Sequence, residues 1–100
     1  MLFRSWQRQI EIPLQFGHVL WGGSLLGEAA LITGSRAGDK ELVLYRFDTD
    51  EAGRLRIREE TLIDEGQAPA QIMVVEHGDR AEVVAANHGA AQLVRYALHI

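Results

Sequence analysis

Four histidines, at positions 18, 77, 88 and 99, are the residues of this chain best suited to chemistry near neutral pH, and there is no cysteine beside them. A neutral imidazole ligates a divalent metal or moves a proton in that range. His18 stands at the head of the apolar run Val19-Leu20-Trp21 and is the candidate catalytic residue and metal ligand. His88 follows Asn87 and precedes Gly89, a turn-forming context, and both Asn87 and His88 are candidate ligand contacts. Trp21 offers an aromatic face on which a sugar ring can stack, and Arg36 a planar fork that fits a carboxylate or phosphate.

Each of these residues also has a structural reading. A histidine can cap a strand, a tryptophan can belong to a core, and an arginine can tie neighbouring strands together through their carbonyls. A catalytic zinc takes three protein ligands. His18 and His88 supply two, with no acidic partner at a fixed spacing. The stretch Asp48 to Glu59 has the twelve-residue span of a calcium loop, but Ala52 occupies a ligand position, so a hairpin turn is the better reading. The motifs of serine hydrolases, zinc proteases, phosphate loops and dinucleotide folds are absent. Without cysteine, disulfides, thiolate metal sites and cysteine nucleophiles are excluded.

Ten Lys and Arg against fourteen Asp and Glu leave a net charge of -4, with no basic cluster able to track a phosphate backbone, so nucleic acid is not an expected partner. The composition, 47% hydrophobic and 24% charged, is that of a folded globular chain. Arg4 and Arg8 interrupt the N-terminal stretch before an apolar signal segment can form, and no apolar run is long enough to span a bilayer. A cytoplasmic location with no membrane partner is the expectation.

The elements that must position these side chains come from an internal repeat. Residues 28–47, EAALITGSRAGDKELVLYRF, align with residues 80–98, RAEVVAANHGAAQLVRYAL, if one residue near Asp39 is deleted. Leu31 and Ile32 fall on Val83 and Val84, Gly34 on Ala86, Leu42 on Leu93 and Tyr45 on Tyr96. A period near fifty residues is the mark of a repeat architecture. Strands are predicted over 18–25, 29–35, 41–47 and 55–63 in the first copy and over 71–75, 81–86 and 92–98 in the second, separated by Gly- and Asp-rich turns. Leu55-Arg56-Ile57-Arg58 alternates as a half-exposed strand does, against a helix over the same residues.

The fold expected is therefore all-β: one domain over 1–100, made of two four-stranded antiparallel propeller blades, blade one over 17–66 and blade two over 67–100. The second copy lacks its fourth strand, and residues 8–16 are expected to complete it, in cis or from a neighbour. A β-sandwich of the two sheets is the alternative. Propellers close with roughly 4 to 8 blades, so two blades imply either three or four assembled copies or a longer propeller. Arg36, Lys40, Asn87 and His88 share one rim with His18, while Glu28, His77, Asp79 and the 48–53 turn share the other.

The segments AALITGSRAGDKELVLYRF and AEVVAANHGAAQLVRYAL resemble the FG-GAP or VCBS type of propeller repeat. More narrowly, His18-Val19-Leu20-Trp21-Gly22-Gly23, GSRAGDKELVLY and IDEGQAPAQIMVV resemble bacterial propellers related to aldos-2-ulose dehydratase, a sugar lyase. The likeness covers residues 17–98 and implies a six- to eight-bladed propeller with metal-assisted sugar chemistry at the channel mouth. The calcium loops common in such repeats are missing here. Two functions follow as expectations: a module that binds a carbohydrate or protein partner within a larger assembly, or a sugar lyase or isomerase with a divalent metal at His18.

Overall fold

The computed structural model describes residues 6, 8–89 and 91–99. Among the described residues seven strands follow one another: β1 (Gly17–Leu25), β2 (Glu28–Ser35), β3 (Leu42–Thr49), β4 (Leu55–Asp64), β5 (Pro69–His77), β6 (Arg80–Asn87) and β7 (Gln92–His99). They form two antiparallel meanders, a four-stranded sheet in the order β1-β2-β3-β4 and a three-stranded sheet in the order β5-β6-β7. The expected all-β class and every predicted strand from residue 18 onward are present. No helix among the described residues is long and apolar enough to cross a membrane.

Turn chemistry sets the strand boundaries. Leu26 and Gly27 connect β1 to β2 with φ of 52° and 85°, the pair of positive angles that matches the right-handed twist of a two-residue hairpin. In the β3–β4 connection Asp50 Oδ1 accepts the N–H groups of Ala52 and Arg54, both at 2.9 Å. Gly53 there takes a φ of 78°, which a residue without Cβ adopts at no steric cost. That loop is a hairpin turn, with Asp48 held by Arg56 Nε at 2.6 Å.

Side chains alternate across the strands, so each sheet has two faces. In the first sheet Trp21, Ile32, Leu44 and Thr61 lie opposite one another in a row. In the second, Val74, Val83 and Tyr96 make such a row. These faces meet, and the core is the cluster of Leu25, Ala30, Ile32, Leu42 and Leu44 against Ala81, Val83 and Ala85, with Trp21, Ile72, Tyr96 and Leu98 at its margin. β1 runs beside β5. Away from that line the sheets part around a cavity of about 470 Å³, whose lining includes Leu44 and Ile63 on one side and Val83, Tyr96 and Leu98 on the other.

Residues 8–16, expected to complete the second sheet in cis or from a neighbour, form no strand within this chain. Pro13 has no N–H for a ladder, and the Gln15 and Phe16 carbonyls accept the N–H groups of Ala37 and Arg36 at 3.0 and 2.9 Å. The arm turns at Phe16, φ 56°, and lies along the β2–β3 connection. β7 pairs with β6 alone among the described residues.

Candidate functional site

The starts of β1 and β5 lie side by side at one end of the molecule, together with the β2–β3 and β6–β7 connections. His18 joins them: its Nδ1–H donates to the Ala70 carbonyl across the two sheets at 3.1 Å. The neighbouring segment is fixed from the other side, because His88 N–H donates to the Ala68 carbonyl and Gly89 N–H to the Gln67 carbonyl, each at 3.0 Å. His18 and His88 thus flank one short segment, 67–70, and both are exposed. Arg36 stands on the same rim, half-buried, its backbone N–H bonded to the Phe16 carbonyl at 2.9 Å.

Chemically, the His18 geometry serves two ends. Donation through Nδ1 selects the tautomer in which Nε2 carries a lone pair, the arrangement by which second partners orient metal-ligating histidines. The same bond caps the strand ends and joins the two sheets. Among the described residues no group of three or more His, Asp and Glu side chains converges as a metal site.

Two other sequence candidates are enclosed in part or in full, Trp21 half-buried and Asn87 buried. Trp21 packs against the core cluster, where its ring closes the gap left by Gly23. Asn87, read in the sequence as part of an exposed turn, is the last residue of β6 and only 3% exposed. The reason is a polar chain absent from the sequence reading: Asn87 Nδ2 donates to Tyr96 Oη at 3.3 Å, and Tyr96 Oη donates to Asp64 Oδ2 at 2.6 Å. Asp64 Oδ1 also accepts the Glu65 N–H at 2.8 Å. This chain links the end of β4 to β7 and β6 beside the cavity. Among the described residues Asn87 Oδ1 has no partner, and it is fully enclosed.

Burial pushes the Tyr96 hydroxyl above its ordinary value of 10.0, and its bond to Asp64 pushes it the same way. A phenol so held stays protonated at neutral pH and acts as a hydrogen-bond donor. Tyr45, its counterpart in the repeat, is also raised by burial, partly offset by a hydrogen bond with Thr33. The sequence held one signal for this chain, the recurrence of tyrosine at the same place in both copies.

At the opposite rim Arg46 is buried beneath a cluster of charges, with Nη1 3.4 Å from both the Leu25 carbonyl and Glu28 Oε2, and Nε 3.9 Å from Glu59 Oε2. Arg58 also binds Glu28, and the Leu26 N–H donates to Glu76 Oε1 at 2.6 Å, bonding β1 to β5 at this end as His18 does at the other. An arginine between the apolar run Leu42-Val43-Leu44-Tyr45 and Phe47 was its signal. No family model, no curated protein and no solved structure matches the chain.

Proposed function

We propose that this protein is a non-catalytic β-propeller module, two neighbouring blades of an assembled ring, whose rim around His18, Arg36 and His88 is the end that binds a ligand or partner. The observation that carries the reading is the mutual placement of the two meanders. Each starts with the strand nearest the other sheet, β1 or β5, these two run side by side, and the sheets diverge from that line toward β4 and β7 around the cavity. Blades arranged about an axis diverge in this way. The sheets of a sandwich stay about 10 Å apart throughout.

Two features support assembly with other copies. β7 is an eight-residue strand with one open ladder edge among the described residues, a feature that natural sheets cover or blunt. Large apolar side chains are exposed on the outward faces of both sheets, the usual sign of an interaction surface. His18 at the start of β1, Arg36 in the β2–β3 connection and His88 in the β6–β7 connection share a single rim, where a ring would repeat them around its channel. That rim suits recognition of polar ligands such as carbohydrates, and the bonds that hold its backbone keep it in place.

The test is the solution mass of the purified chain, by light scattering after size exclusion. Roughly three or four chains of 11.1 kDa is the expected result, six or eight blades in a ring. A folded, monodisperse monomer would overturn the reading.

A further inference from the structure

The faces by which copies meet can be named from the strand registers, an inference that rests on the propeller reading above. The row Trp21, Ile32, Leu44 of the first sheet recurs in the second as Met73, Val84, Arg95. The row Leu20, Thr33, Val43 recurs as Ile72, Ala85, Val94. Alternation places the two rows of each sheet on opposite faces.

These equivalences decide which surfaces are still unused. Within the chain, the first sheet buries its Trp21–Ile32–Leu44 face. The second sheet buries the other kind of face, that of Ile72, Val83, Ala85 and Tyr96. The contact is therefore between unlike faces, and each sheet keeps outward the kind of face that its partner has buried. The outward face of the second sheet carries Met73 and Leu93, 57% and 75% exposed, and that of the first carries Leu20, 74% exposed.

We propose that a second copy of this chain docks head-to-tail, with the outward face of its first sheet on the outward face of the second sheet, repeating between chains the contact made within one. Such a contact leaves one unlike face at either end until a ring closes. Residues 13–15 lie over Thr33, Val43 and Tyr45 on the first sheet's outward face, and docking displaces them. The arm leads into β1 as β4 leads into β5, so once displaced, residues 8–16 take the place of a fourth strand on the neighbour's β7.

Two variants, Leu20→Arg and Leu93→Arg, test the proposal, each placing a charge on one outward face at an exposed position. Each variant alone is expected to run as a single chain by light scattering, with a strand-type circular dichroism spectrum unchanged from wild type. Mixed in equal amounts they are expected to form dimers and nothing larger, because the mixture retains one intact face of each kind. Met73→Glu replaces Leu93→Arg if that variant fails to fold. Wild-type chains that assemble while both variants assemble equally well overturn the choice of faces and leave the propeller reading standing. A Leu20→Arg chain that dimerises by itself shows like faces pairing and also overturns it. A monomeric wild type overturns the propeller reading itself.

Discussion

Tyr96 shows how one hydroxyl can join three strands. It donates to Asp64 and accepts from Asn87, so Tyr96→Phe removes a bond to a carboxylate and leaves neither polar atom of the Asn87 side chain paired among the described residues. The expected cost is about 1–2 kcal/mol, measured by urea unfolding. The hydroxyl also has a pH signature. Its folded pKa lies above 10.0, so the folded state keeps a proton that the unfolded state has lost. The stability from this shift is complete below pH 10 and disappears as pH rises through the folded value. Wild type is expected to lose stability above pH 10, and Tyr96→Phe to lose less over the same range, leaving the share due to Tyr45. Equal alkaline slopes would remove Tyr96 from this account.

At the scale of elements, close approach governs how β2 sits against its neighbours. A Cβ added at Gly34 would lie 2.8 Å from both Pro69 Cγ and Val19 Cβ, neither of which is the end of a flexible side chain. Gly34→Ala gains something from a less flexible unfolded chain, under about 1 kcal/mol. Forcing the end of β2 away from the starts of β1 and β5 costs about 1–3 kcal/mol and is the larger effect. Net destabilisation in urea is expected, together with altered NMR shifts at His18, whose bond to Ala70 spans the same gap. A neutral Gly34→Ala would mean that the sheets can separate there freely. Ala86, the counterpart of Gly34, lies on the outward face and is exposed.

For the whole molecule, two meanders share one modest core and each keeps a further apolar face outside it, with Leu20 exposed on the first, beside the part that residues 13–15 cover, and Met73 and Leu93 exposed on the second. If copies cover those faces, association stabilises the native state by mass action. The thermal midpoint of wild type is then expected to rise with protein concentration, and that of Leu93→Arg to stay constant. A concentration-independent wild-type midpoint would count against assembly.

The strands were legible in the sequence because alternation and turn residues are local properties. Gly27, Gly53 and Gly78 stand where positive φ is needed, and the recurrence of Leu31-Ile32 as Val83-Val84 revealed the repeat that the observed pairing registers follow. The candidate site was legible in part: the placing of His18 and His88 at one rim follows from strand order alone. What tertiary structure decided depends on contacts between residues far apart in the chain. Asn87 is enclosed with Tyr96 of the neighbouring strand, whose hydroxyl reaches Asp64 across the two sheets, and Arg46 is enclosed because Glu28 and Glu59 converge on it from other strands. Residues 8–16 read as a strand by composition, yet a strand exists only where a partner edge accepts it. In this chain the carbonyls of Gln15 and Phe16 are bonded to the β2–β3 connection instead.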